Sequence, residues 1–178
     1  MQLSKVGYYA DFVVYPVLLV PLGAVVVWDG TWQQQVVWTL SCLIGIAGCT
    51  LLEYVMHRVV LHHIPPFRGM HDMHHANPTA MVGTPTWLSA AFIGGGVFLP
   101  LWWQAGLNIS SGVTFGLMLG YLWYVLVHYA IHRWRAHDGS YLHRAKRRHS
   151  QHHHVQQSCN FGVTTAFWDR LFGSARVR

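Results

Sequence analysis

Residues 36–63 read VVWTLSCLIGIAGCTLLEYVMHRVVLHH, and this stretch decides the fold. From Val36 to Met56 it is apolar, holds no Lys or Arg, and matches the roughly 20 residues that a helix needs to cross a bilayer. It then ends on His57, with His62 and His63 close behind. Three more apolar stretches of comparable length lie around it, about 12–28, 87–104 and 113–135, the last continuing as a helix past its most apolar part. The first carries one Lys ahead of it and no small-residue cleavage site after it, so it reads as a membrane helix and not as a signal peptide. Composition agrees: charged residues make up 10% of the chain and mean hydropathy is +0.25, where a soluble domain carries roughly 25% charged residues.

The links expected between the first and second stretches (29–35) and between the third and fourth (105–112) contain no Lys or Arg. The twelve basic residues are Lys5, Arg58, Arg68 and nine from Arg133 onward. The positive-inside rule therefore places both termini and the ends of the second and fourth helices in the cytosol. Trp28, Trp32, Trp102 and Trp103 mark the far interface, and Trp87 and Trp134 the near one. The formal charge of +6 is thus a topology signal, and no nucleic-acid partner is expected. Cys42, Cys49 and Cys159 form no CxxC pair and read as small buried hydrophobes.

All fourteen histidines fall at or beyond the cytosolic ends of the second and fourth stretches. His128 and His132 are four apart, on one helical face; His71, His74 and His75 share a face, as do His149, His152 and His153. His57 and His62 are five apart, about 140° around an ideal helix, so that pair either spans a helix end or serves two metals. Ten imidazoles exceed what one ion accepts and suit two ions with about five each. Imidazole suits iron, zinc and copper alike, and no cysteine or paired carboxylate accompanies the set. His63, His137, His143 and His154 read as interfacial residues. Ligating histidines usually donate their second ring N–H to an acceptor, often a carboxylate. Asp72, Asp138 and Asp169 are candidates for that role, alongside the alternative that they cap helices or pair with Arg133, Arg144 and Arg170.

The set His57/His62, His71/His74/His75, His128/His132, His149/His152/His153 resembles the fatty acid hydroxylase superfamily of fatty acid 2-hydroxylases, sterol desaturases, sterol methyl oxidases and carotenoid hydroxylases. The resemblance runs from about Glu53 to Gly173. It includes Glu53-Tyr54-Val55-Met56-His57-Arg58, His74-His75-Ala76-Asn77-Pro78, Asn160-Phe161-Gly162-Val163-Thr164, and Phe167-Trp168-Asp169-Arg170-Leu171-Phe172-Gly173. Pro78, Thr84-Pro85 and Gly139-Ser140 look most like the 2-hydroxylase branch.

The resemblance implies a membrane di-iron oxygenase that uses O2 and a separate electron donor (of cytochrome b5, ferredoxin or reductase type) to hydroxylate a fatty acyl chain or lipid, with C2 as the position this branch suggests. It implies the ten histidines as ligands, Asn160 beside Asp72, Asp138 and Asp169 as groups supporting them, and no separate side-chain base. Zinc could replace iron in a purified protein but has no redox chemistry. Pro65, Pro66, Phe67, Gly162 and Trp168 are candidate walls for the acyl chain. The competing readings are desaturation or sterol or carotenoid hydroxylation on the same centre, and a non-catalytic metal-binding protein such as a sensor or a metal transporter, whose site tends to lie near the bilayer midplane. A haem protein would need paired histidines in mid-membrane, and a zinc hydrolase would show HExxH; the chain has neither.

The expected fold is all-α: one domain over 1–178, with four transmembrane helices capped by a helical cytosolic domain, segments 57–86 and 128–178, that holds a dinuclear histidine site. The expected setting is a bacterial inner membrane or the endoplasmic reticulum, with the oligomeric state left open.

Overall fold

The computed structural model describes residues 2–28 and 30–176. Asp29, the first residue of the expected 29–35 link, and the extreme ends of the 1–178 domain lie outside the described residues. The described chain is helical, in the order α1 (Lys5–Tyr9), α2 (Asp11–Trp28), α3 (Trp32–Val55), α4 (Phe67–Ala76), α5 (Thr86–Ile93), α6 (Leu99–Arg133), α7 (Tyr141–His154) and α8 (Phe167–Leu171). Wide π-type turns at Met56–Leu61 and Gly94–Phe98 extend α3 and join α5 to α6. Among the described residues there is no strand, only the single bridge between Gln2 and Val82.

Three helical runs are long and apolar enough to cross a membrane: Asp11–Trp28, Trp32–Leu61 and Thr86–Arg133. The third is 48 residues, or about 72 Å if straight, more than twice the roughly 30 Å of a hydrocarbon core. The run is in fact two helices that meet at a break, so the expected third and fourth stretches lie on either side of Gly106 and the expected link 105–112 shrinks to that break. Only Gly106 leaves helical geometry, at φ 79°, ψ 173°, a region open to glycine for want of a Cβ.

The chain divides into two compact units. One comprises Leu3–Cys49 and Thr84–Leu122. In it Tyr15 donates to Ser89 Oγ at 2.8 Å and Tyr121 to Asp11 Oδ2 at 3.2 Å, while Asn108 Nδ2 reaches Gln34 O at 3.3 Å. Ser89 and Tyr121 thus stand beside the first turns of α2, and Asn108 beside the first turn of α3. The run from 86 onward doubles back at Gly106. Gly112, Gly116 and Gly120 then lay a small-residue stripe against Trp38, Cys42 and Cys49 of α3. A Cβ on Gly116 would overlap Cys42 O, and one on Gly45 would overlap Val113 O. Such small-xxx-small contacts replace the hydrophobic drive that lipid cannot supply.

The other unit comprises Thr50–Gly83 and the chain from Trp123 onward. Its apolar core is Val127, Ile131, Ala145 and Val163, with Tyr124 and Leu142 against it. Ser140 caps α7 by accepting from His143 N at 3.1 Å. On α7 the buried positions Ala145, His149, His152 and His153 form one face, so this helix turns its histidines inward.

Candidate metal centre

All ten expected ligands belong to the second unit. His57 lies in the π turn and His62 just after it; α4 supplies His71, His74 and His75; the end of α6 supplies His128 and His132; α7 supplies the remaining three. Two groups form. In group A, one ring nitrogen from each of His57, His62, His71, His75 and His152 lies within 4.8 Å of all the others. Group B does the same with His74, His132, His149 and His153. His128 adjoins group B, its Nε2 3.2 Å from that of His132. The π turn settles the His57/His62 pair. Its i→i+5 pattern brings residues five apart onto one side, the two rings stack at 5.3 Å and 20°, and both join group A.

The geometry fits metal ions. Two nitrogens bound at about 2.1 Å and at right angles on one ion stand about 3.0 Å apart. The Nε2···Nε2 separations are 3.0 Å for His57/His71, 2.9 Å for His75/His71, 3.1 Å for His62/His152 and 3.0 Å for His132/His149. Hydrogen bonding alone does not account for the convergence. His57 Nδ1 donates to Phe161 O at 2.5 Å, and His152 Nδ1 to Cys159 O at 2.8 Å. In the neutral rings this leaves both Nε2 atoms as bare lone pairs, pointed at other imidazoles. His74 Nε2 and His153 Nε2 are buried with no hydrogen-bond partner, a cost that a cation would remove.

Burial makes the imidazoles good ligands. It lowers His62, His75 and His152 to about 4 and His74 to about 3, with neighbouring histidines adding to the effect. His71, His149 and His153 are depressed further, for the same reason. The rings are therefore neutral near pH 7, as metal ligation requires. An opening of about 230 Å³, lined in part by His132, Lys146, His149 and His153, reaches group B.

Of the four expected supporting groups, Asn160 and Asp169 lie in or against the segment that meets two of the imidazoles, and Asp72 and Asp138 do not. Asp72 lies at the surface, 3.7 Å from Arg68, and Asp138 is fully exposed, 3.2 Å from His143. Neither touches a group A or group B imidazole, because each sits on the outward face of its segment. The acceptors for His57 and His152 are backbone carbonyls, those of Phe161 and Cys159, which leave no mark in a sequence. Asn160 stands between them, 1% exposed and at φ 53°, a left-handed conformation that Asn tolerates. Its Nδ2 donates to Gln151 Oε1 at 2.9 Å and its Oδ1 accepts from Arg176 N at 2.9 Å. Asp169, fully buried, accepts from Phe161 N and Gly162 N at 2.8 Å each and from Ser174 Oγ. Glu53 was not among the expected site residues, yet its carboxylate accepts from Val163 N, Thr164 N and Thr164 Oγ1 at 2.6–2.9 Å. Its one sequence signal is an acid inside an apolar helix, four residues before His57.

The sequence model of the fatty acid hydroxylase family matches residues 42–174, a span that contains all ten histidines. The chain belongs to this family. Among curated fatty acid hydroxylases and their relatives, it is 34% identical to the fatty acid 2-hydroxylase of Mus musculus over 143 residues, covering 73% of this chain and 38% of that protein. It is 33% identical over 150 residues to a ceramide very long chain fatty acid hydroxylase of Schizosaccharomyces pombe, 74% of this chain and 41% of the relative. It is 26% identical over 144 residues to a dihydroceramide fatty acyl 2-hydroxylase of Arabidopsis thaliana, 73% and 58%. The chain thus spans well under half of the mammalian and fission-yeast relatives. A solved structure of full-length scs7p, with only its hydroxylase domain visible, superposes with a TM-score of 0.79 at 22% identity, covering 96% of this chain and 67% of that one; this similarity concerns the fold.

Proposed function

We propose that this fatty acid hydroxylase family member hydroxylates the acyl chain of a membrane lipid at C2, with two irons held by the ten histidines. The observation that carries the reading is the pair of adjacent, largely buried, all-imidazole groups inside the family's matched span. The names of the relatives, fatty acid 2-hydroxylase and dihydroceramide fatty acyl 2-hydroxylase, support the acyl substrate and the C2 position. When bound, the irons supply O2 activation: one oxygen atom enters a C–H bond, the other leaves as water, and two electrons and two protons come from a separate donor.

The chain's own residues do the rest. Group A and group B supply neutral donors, so the ligands leave the ions' positive charge uncompensated. The Phe161 and Cys159 carbonyls fix two imidazoles in the Nδ1–H form, with Nε2 free to bind. Phe161 also lays its ring against His57, His62 and His152, at 5.5–5.7 Å between ring centres, which keeps bulk water from that side of group A. No side chain is assigned as a separate base.

The same reading takes the chain four times through the bilayer, turning at Gly106, with both termini and the histidines on the cytosolic side. The distribution of Lys and Arg supports it. Anaerobic purification with metal analysis, followed by an O2-dependent assay on membrane lipids read by mass spectrometry, tests the activity. The expected result is two irons per chain and a product heavier by one oxygen atom. A product lighter by two hydrogens would mean desaturation, and an active metal-free protein would end the proposal.

A further inference from the structure

Segment 159–164 is buried throughout, although it has no regular structure. Buried irregular backbone needs its polar groups satisfied, and here two carboxylates do much of it. Asp169 takes the N–H groups of Phe161 and Gly162, and Glu53 takes those of Val163 and Thr164. Gly162 leaves no room for adjustment: a Cβ there would overlap Thr165 O and stand 2.9 Å from Asp169 Oδ2. The segment then presents two carbonyls, Cys159 O to His152 and Phe161 O to His57. Both recipients belong to group A. Among the buried ring nitrogens without a hydrogen-bond partner are His149 Nδ1 and His153 Nδ1 of group B and His75 Nδ1 of group A, so the support reaches two rings of group A and neither of these two in group B.

We propose that Glu53 and Asp169 are positioning residues for one of the two metal ions: they clamp segment 159–164 so that its carbonyls orient His57 and His152, two of the five group A imidazoles, and they leave group B to bind its ion without such support. This rests on the two-ion reading above. A hydrogen bond to the far nitrogen of a ligating imidazole fixes its tautomer and raises its basicity, and losing such a partner typically weakens metal binding about 10–100-fold.

The chemistry of the acceptors sets the test. In Asp169→Asn an amide NH2 must face a backbone N–H or the Ser174 hydroxyl, so at least one acceptor is lost. In Glu53→Gln, Oε1 still accepts both backbone N–H groups and the new NH2 can donate to Thr164 Oγ1, so the clamp survives. Wild type and variants are loaded with iron(II) anaerobically in detergent, challenged with graded chelator, and their retained iron counted. Asp169→Asn and Glu53→Ala are expected to hold one iron as firmly as wild type and to release the other at about 10–100-fold less chelator. Glu53→Gln is expected to keep both. In Asp169→Asn combined with His57→Ala, the firm iron stays as in either single variant. Should either single variant fail to insert, Thr164→Val, which removes one of Glu53's three hydrogen bonds, is expected to weaken the same single ion. Two ions weakened together, or two irons held as in wild type by Asp169→Asn, would overturn the clamp while leaving the two-ion centre standing. A wild-type protein that takes up no iron would instead sink the centre itself.

Discussion

At the residue scale the histidines behave as a set because burial removes the water that would stabilise their charged forms. In an unfolded chain they protonate near pH 6.5; in the folded protein His62, His75 and His152 resist until about 4 and His74 until about 3. Between those limits the unfolded state binds more protons, so stability rises with pH there. The metal-free protein should hold its full stability above pH about 6.5 and lose it progressively on acidification below that. Thermal unfolding of chelator-treated protein between pH about 8 and about 5 checks this, and a flat profile would contradict it. Metal release should follow the same direction, since protons and metal compete for the same nitrogens. His128→Ala and His153→Ala should each abolish turnover while the chain still inserts; full activity in either would remove that residue from the ligand set. The i, i+3 and i, i+4 spacings made these faces readable in advance. Glu53 and the carbonyls of Cys159 and Phe161 were not readable, because a backbone acceptor has no sequence signature and a lone acid in an apolar helix has several meanings.

At the element scale two departures from ideal helix shape the protein. The π turn at Met56–Leu61 places His57 and His62 on one side, where a 3.6-residue helix would turn them apart. The break at Gly106 is a single residue, so helical hydrogen bonding resumes at once and the expected eight-residue link vanishes into the run. Neither is visible to reasoning that assumes an unbroken period. The stripe of Gly112, Gly116 and Gly120 is legible only as small residues at four-residue spacing; its partner, α3, is a tertiary fact. Gly116→Leu should force α3 and α6 apart against Cys42, at a cost of about 1–3 kcal/mol, read as a lowered unfolding temperature in detergent. An unchanged temperature would mean the two helices do not need the close approach.

At the scale of the whole molecule, the proposed four-crossing arrangement makes a direct prediction. The native thiols Cys42, Cys49 and Cys159 are buried, so they leave a low background for labelling. Gln33→Cys should react with an impermeant maleimide from the non-cytosolic side only, and His137→Cys from the cytosolic side only; the reverse pattern would invert the topology. The amino-acid sequence by itself determined the class of protein: apolar runs of bilayer length, basic residues gathered at one set of helix ends, and ten histidines at helical spacing gathered there too. Those are local properties, fixed by composition and by the period of a helix. Which imidazoles come together, and what holds them, only the tertiary structure decided. Imidazoles 95 positions apart in the chain, such as those of His57 and His152, meet through packing that no spacing encodes, and the carbonyls that orient them belong to the backbone, which every residue shares.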